Sequence, residues 1–499
     1  MIYTQKKNNL LTLDLLLILT FFLGCSKGDI PHGSPTPTPI PTPSQTSPIS
    51  PSAGDVAFNV SIDSTVKGIA IPSTFIGLSY EANATVSGKY FSNTFTKHVN
   101  LVKNLGTGII RIGANSADKM IWNHSLRNGY TGGDKIFTDD VDRFFGFATA
   151  IGWKSMFGVN VGTGTVAQAT DEIKYIDQNY SSNVLNYELG NEPDLFHDWV
   201  PGQTAYSVLS YQTDFDNFYS SIHSATPNVK ISGPATCCHL SDFAVPFVTL
   251  ENAKLAQVSY HYYTGANSIA TLLIDDASLV ANTNTLVNLA KTYNLPFRYA
   301  ECNSIAGGGL QGVSNKLASA LWGADYMYIT AKMGVAGVNF HGGSAGNYTP
   351  IEYGNFDGIN GNVRPRPLYY GMLAFSLGSK GKFIQNNATV VGGVLNCKVY
   401  TILGDDSNYY ITLINKDLTS QAYVKITGMP VNHATLITRL TGTVIADPAT
   451  PDNVILGNAT ADATTGLWSN AASEKAGWDY SSYQLQVPAS SIAILVIAK

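Results

Sequence analysis

Val184-Leu185-Asn186-Tyr187-Glu188-Leu189-Gly190-Asn191-Glu192-Pro193 is the stretch from which the rest of the chain can be read. Its first six residues have strand composition, and Pro193 has no N–H with which to continue a ladder. Glu192 therefore falls where strand gives way to loop. In a parallel barrel, that end of a strand is the catalytic face. A carboxyl group delivered there behind an asparagine is placed for chemistry, although a solvated loop glutamate would look the same in isolation. A second carboxyl group is needed to separate the two readings.

Glu301 supplies it. It ends another short apolar run, Pro296-Phe297-Arg298-Tyr299-Ala300-Glu301, followed by Cys302-Asn303-Ser304 and then Gly307-Gly308-Gly309. Hydrolysis of a glycosidic bond calls for two flanking carboxyl groups: one protonates the departing oxygen and the other meets the developing oxocarbenium carbon. Further strand-like runs fall in barrel order. Strand 1 is Phe75-Ile76-Gly77-Leu78-Ser79-Tyr80-Glu81, and strand 2 is Ile109-Ile110-Arg111-Ile112-Gly113, leading into Ala114-Asn115-Ser116-Ala117-Asp118. Strand 5 is Val229-Lys230-Ile231-Ser232-Gly233, strand 6 Val258-Ser259-Tyr260-His261-Tyr262-Tyr263, and strand 8 Val335-Ala336-Gly337-Val338-Asn339-Phe340, with His341-Gly342-Gly343 after it. Helical periodicity occupies 95–105, 141–151, 167–176, 211–225, 277–293 and 315–333. This alternation calls for a parallel sheet and predicts a (β/α)8 TIM barrel over residues 71–378. An open doubly wound sheet is the rival, but no Gly-x-Gly-x-x-Gly turn follows strand 1.

The Asn191-Glu192 pair, Glu301, the ordered strands and Arg364-Pro365-Arg366-Pro367-Leu368-Tyr369-Tyr370-Gly371 at the entry to the last helix together resemble glycoside hydrolase family 79. This is the β-glucuronidase and heparanase family, within the clan of (β/α)8 retaining glycosidases, and the resemblance covers roughly residues 55–499. It implies that Glu192, at the end of strand 4, is the acid/base and that Glu301, at the end of strand 7, is the nucleophile. It also implies that tyrosine hydroxyls and main-chain amides of the loop after strand 8 hold a uronic carboxylate. That loop is Gly342 to Gly354, with Tyr348 and Tyr353; Glu352 in the same loop would repel the sugar unless turned outward.

The chemistry assigns further roles. As the acid Glu192 must carry a proton, while Glu301 must be ionised to attack. Asn191 would hydrogen-bond the sugar 2-hydroxyl, a contact that strengthens as charge develops next to it, with a turn role as the alternative. Arg111 can hold Glu301 ionised and correctly turned. Tyr262 is placed to donate to Glu301, with Tyr263 as its rival. Glu81 would accept from the 3- or 4-hydroxyl. His261 and His341 are read as hydrogen-bonded wall residues, and Trp199 offers a flat face to a leaving group. Neither a metal nor a cofactor is required.

A chain of 499 residues, 44% hydrophobic and 13% charged, exceeds what one domain usually holds. After Ser376 the pattern changes to alternating strands at Val394–Leu403, Tyr409–Asn415, Ala422–Ile426, Thr435–Leu440, Tyr483–Val487 and Ile492–Ile497. Residues 379–499 are accordingly expected to form an antiparallel β-sandwich domain, and the alternating Ala57-Phe58-Asn59-Val60-Ser61-Ile62 within 55–70 is expected to join it. The formal charge of −5, with no Lys/Arg run longer than a pair, gives no cationic field for nucleic acid. It also disfavours long polyanionic substrates and leaves small glucuronides open.

Residues 1–25 carry Lys6-Lys7, a largely apolar Leu10 to Leu23 interrupted by Asp14, and Gly24-Cys25-Ser26. They resemble a bacterial lipoprotein signal, which implies a lipid on Cys25 and a membrane anchor in the cell envelope; an ordinary secretory signal is the alternative. Residues 26–54 are rich in Pro, Ser and Thr and read as an extended tether. Cys237, Cys238, Cys302 and Cys397 lack metal-ligand spacing and read as structural, with a disulfide between the adjacent Cys237 and Cys238 as the alternative for that pair.

The leading function is an exo-acting retaining β-glucuronidase that releases terminal glucuronic acid or its 4-O-methyl form. The alternatives are a related retaining glycosidase on neutral β-sugars, an endo-acting uronidase, or a surface glycan-binding lipoprotein without turnover.

Overall fold

The computed structural model describes residues 47–343, 346–356, 358–430, 433–442 and 453–499. Cys25, the leader and most of the tether lie outside them. Eight parallel strands close into a barrel in chain order. They are β1 (Ile76–Glu81), β2 (Ile109–Gly113), β3 (Lys154–Val159), β4 (Val184–Leu189), β5 (Ile231–Thr236), β6 (Leu255–Thr264), β7 (Phe297–Ile305) and β8 (Gly337–Gly342). β8 pairs back to β1 and completes the ring. The strands are buried on both faces, as a barrel covered by helices requires.

The helices begin where the sequence supplies caps. Thr165 accepts the N–H of Gln168 at the start of Val166–Tyr180, Asp276 accepts from Ser278 and Leu279 at the start of Ala277–Thr292, and Pro367 occupies the first turn of Pro367–Gly378. Helix Leu317–Met333 is buried along nearly its whole length, because the barrel covers one side and the C-terminal sheet another. Among the described residues no helix is long and apolar enough to cross a membrane.

The C-terminal region is one curled ten-stranded sheet. Its pairings are antiparallel except one: Val56–Ala70 runs antiparallel to Gly381–Val391 and parallel to Ala422–Thr427. The chain thus enters through the middle of the C-terminal sheet before it starts the barrel. The expected sandwich layers are two parts of this one ladder, with Val60, Val424, Leu485, Ile411, Leu413 and Leu495 enclosed between them. The sheet's other face shares a core with the barrel, through Tyr400, Ile402, Ile414, Ile492 and Ile494. Polar contacts pin that interface. Asp325 accepts from Tyr400 Oη at 2.5 Å and pairs with Lys416 at 2.5 Å, and Lys416 also reaches Asp275 at 3.1 Å.

Candidate active site

The functional side chains gather at the C-terminal ends of the barrel strands. After β4, Gly190 takes φ 81° and Glu192 φ 50°, so the chain turns sharply and places Glu192 just before a short 3-10 turn, Pro193–Leu195. A non-glycine residue in this region costs about 1–3 kcal/mol and must be held there. Two hydrogen bonds hold it: Glu192 N–H donates to Ala235 O at 2.9 Å, and Asn191 N–H donates to Asp118 Oδ2 at 2.6 Å. The other oxygen of Asp118 accepts the N–H groups of Val161 and Gly162. One buried carboxylate thereby ties together the ends of β2, β3 and β4. Burial pushes the Asp118 carboxyl up to about 6, although these amides favour its ionised form.

Glu301 is delivered by a β-bulge. On the β6 side Tyr299 opposes Tyr260 and Glu301 opposes His261, so Ala300 is the extra residue that re-aims the strand beyond it. β7 continues past Glu301 to Ile305 rather than ending there as the sequence suggests. Glu301 accepts from Arg111 Nη1 at 2.8 Å and from Tyr263 Oη at 2.7 Å. Arg111 is fully buried. Its guanidinium also donates to Glu188 (2.5 Å), Ser79 Oγ (3.1 Å) and Asn191 Oδ1 (2.8 Å), so the planar fork fixes four neighbours at once. Gly113 leaves room for it, since a Cβ there would stand 2.8 Å from Arg111 Cζ. Burial alone would push the Glu301 carboxyl up, but His341, His261, Arg111 and the Tyr263 hydroxyl outweigh it and hold the group below the usual carboxylate range.

His261 Nδ1 lies 2.8 Å from Glu192 Oε1, so this wall histidine touches the Glu192 carboxyl group directly. One carboxylate oxygen of Glu192, one of Glu301 and one ring nitrogen of His261 all lie within 4.8 Å of one another. Carboxyl groups of retaining enzymes stand about 5–5.5 Å apart and those of inverting enzymes about 6.5–9.5 Å apart. The separation fits the shorter, retaining spacing rather than the inverting one. Both line a cleft of about 920 Å³ together with Glu81, His341, Tyr348 and Tyr353.

Asn191 is buried and fixed through Oδ1 by Arg111. Glu81 lines the cleft, with Oε2 accepting from Ser116 N–H (2.7 Å) and Oγ (2.6 Å). Tyr348 also lines it, its ring 6.1 Å from that of Tyr263. Tyr262 does not reach Glu301; its hydroxyl donates to Asp276 Oδ2 at 2.5 Å, and its ring stacks on Tyr326 at 5.4 Å. Strand alternation is the reason: along β6, His261 and Tyr263 face the barrel interior, while Tyr260 and Tyr262 face the helices. Tyr263 takes the assigned role. Glu352 is neutralised by Arg364 at 2.8 Å and by Arg366. Trp199 lies under Lys119, 4.7 Å from its ring, and against Phe196, away from the cleft-lining residues. Cys237 and Cys238 are joined by a disulfide, so the unbonded reading of that pair is corrected, whereas Cys302 and Cys397 are free.

No family profile matches the chain. Among curated proteins it is 24% identical to a β-glucuronidase of Aspergillus niger over 304 residues, 52% of this chain and 55% of that one. It is 24% identical to a β-glucuronidase of Neurospora crassa over 381 residues, 64% and 65% of the two chains, and 26% identical to heparanase of Bos taurus over 262 residues, 47% and 44%. In sequence the chain is similar to these β-glucuronidases and to heparanase, and so resembles glycoside hydrolase family 79. The chain spans 55%, 65% and 44% of the length of those three proteins. Its fold matches a 4-O-α-L-rhamnosyl-β-D-glucuronidase from Fusarium oxysporum at TM-score 0.72 and 18% identity, over 88% of this chain and 100% of that one. It also matches a family 51 arabinofuranosidase from Xanthomonas axonopodis pv. citri at TM-score 0.64 and 15% identity, over 89% and 100%. The barrel with its C-terminal sheet is therefore a fold that the chain shares with these two proteins.

Proposed function

We propose that the protein is an exo-acting retaining β-glucuronidase that releases terminal glucuronic acid or its 4-O-methyl form. The observation that carries this reading is the closeness of Glu192 and Glu301 across a cleft walled by Tyr263, Tyr348 and the glycines of the loops after β7 and β8. Glu192 gives its proton to the glycosidic oxygen as Glu301 attacks the anomeric carbon, forming a glycosyl ester and freeing the alcohol. Glu192, now ionised, takes a proton from water, whose oxygen attacks the anomeric carbon and restores Glu301. Arg111 and Tyr263 stabilise the carboxylate that leaves in this second step. The pairing of Glu352 with Arg364 and Arg366 removes the repulsion it would exert on a uronic carboxylate. The β-glucuronidase names of the sequence relatives support the same sugar.

Nitrophenyl β-glucuronide is expected to be cleaved well above the matching β-glucoside and β-xyloside. Tyr348→Phe should erode that preference: a hydroxyl donor to a charged group is worth about 1.5–3 kcal/mol, so the glucuronide loses roughly ten-fold or more while neutral sugars change little. Equal or better turnover of neutral glycosides by the parent enzyme contradicts the uronide reading.

We further propose that Cys25 is lipid-modified and holds the enzyme at the cell envelope through the Pro-rich segment. Cys25→Ser should move the protein out of the membrane fraction with catalysis intact. Retention of that variant in the membrane fraction, with its leader cleaved, contradicts the anchor.

A further inference from the structure

The acid side of the cleft carries a feature that the two-carboxylate mechanism does not use. β5 ends beside Glu192, and the next two residues, Cys237 and Cys238, are joined by a disulfide that lines the cleft with Glu192 and Leu195. Cys238 is exposed and Cys237 half-buried, and both residues line the cleft, with Cys237 Sγ 3.9 Å from Asp194 Oδ2. The position of this pair is tied to the acid turn. Asp194, two residues after Glu192, accepts the N–H groups of Cys237 (3.3 Å), Cys238 (3.0 Å) and His239 (3.2 Å) through one oxygen. Ala235 O accepts the N–H of Glu192, and Tyr260 Oη donates to Cys237 O at 2.8 Å.

The acid protonates the departing oxygen, so the leaving group emerges on the Glu192 side of the cleft. Trp199, the aromatic side chain that the sequence offered for that place, is turned away to Lys119 and Phe196. With Leu195, the disulfide gives the cleft an apolar, polarisable surface beside Glu192, and sulfur packs favourably against ring faces. We propose that the Cys237–Cys238 disulfide is the platform of the leaving-group subsite, selecting leaving groups that present a flat apolar ring face, either an aryl ring or the C–H face of a sugar. This rests on Glu192 being the acid. It makes Cys237 and Cys238 specificity-determining residues, with Asp194 as the positioning residue that holds them against the acid turn.

The test compares the parent enzyme with the Cys237→Ala/Cys238→Ala variant on three substrates of one glycone, the one the parent hydrolyses best: the methyl glycoside, the phenyl glycoside and a disaccharide. The expected result is that kcat/KM for the ringed leaving groups, taken relative to the methyl glycoside, falls about three- to ten-fold, mainly through KM. A fall for the phenyl compound alone, the disaccharide alone or both supports the platform and identifies its ring. Unchanged ratios overturn it, as does an equal loss on all three substrates, which marks a merely structural role. Alkylation of the native protein gives a reading independent of any variant: labelling of both cysteines without prior reduction overturns the proposal, and protection supports it. Calorimetric titration of the same three compounds preserves the comparison for a protein that turns over none of them. Failure of the hydrolase reading and failure of the platform are thus told apart.

Discussion

Tyr263 Oη and Glu301 are 2.7 Å apart, and the hydroxyl donates to the ionised form of this carboxyl group, the proposed nucleophile. Tyr263→Phe removes one of the influences that lower the Glu301 carboxyl, so its pKa rises toward the ordinary carboxylate range. Because Glu301 must be ionised to attack, the acid limb of kcat/KM should move to higher pH, and the rate at neutral pH should fall roughly ten- to hundred-fold. Tyr262→Phe, which loses only its bond to Asp276, should lower thermal stability and leave the pH profile in place. A pH–rate profile of each variant checks both outcomes. At this scale the placement of the two glutamates, Asn191 and Arg111 together at strand ends was legible, because each follows a short apolar run. The choice between Tyr262 and Tyr263 was not: both sit at the end of one strand, and the parity that turns one inward is set by pairing to β7. Nor did the sequence reveal that Asp118 reaches Asn191, a contact made across three strand ends.

At the scale of elements, β2 and β4 match the sequence reading residue for residue, since a proline or a change of composition closes each run. β3 escaped it. Lys154-Ser155-Met156-Phe157-Gly158-Val159 opens on a lysine and a serine and holds a glycine, so it lacks the unbroken apolar run of a buried strand, although Ser155 is fully buried. Gly381–Val391 was missed for the opposite reason: its second half is exposed and polar, around Asn386 and Asn387, and it is a strand because Val56–Ala70 pairs with it. The bulge at Ala300 is likewise invisible in one sequence. It is defined by the registers of two neighbours, and it precedes Glu301, which lines the cleft.

Taken as a whole, the barrel and the C-terminal sheet share apolar core, and the interface between them contains the buried Lys416–Asp325 pair. Burial pushes the Lys416 ammonium down, and Asp325 and Asp275 more than reverse this, so the ammonium is held charged. Asp325→Ala should destabilise the whole protein by about 3 kcal/mol, because it leaves buried Lys416 with only the more exposed Asp275 and leaves the Tyr400 hydroxyl unpaired. Both parts should still melt in one transition. Calorimetry checks this: a variant that melts in two steps, or with no loss, contradicts a shared core. The presence of two regions was readable from the change of period after Ser376. The entry of the N-terminal strand into the middle of the sheet was read only as membership, because its partners follow it by more than three hundred residues.

The central claim is that Glu301 forms a covalent bond to the sugar while Glu192 supplies and removes the proton. A 2-deoxy-2-fluoro-β-glucuronide with a good leaving group slows the second step more than the first and accumulates the intermediate. After incubation, proteolysis and mass spectrometry should place one fluoroglycosyl group on the peptide that contains Glu301, and it should turn over slowly on dilution. Label on the Glu192 peptide would exchange the two roles. Steady hydrolysis without any label would contradict the covalent mechanism.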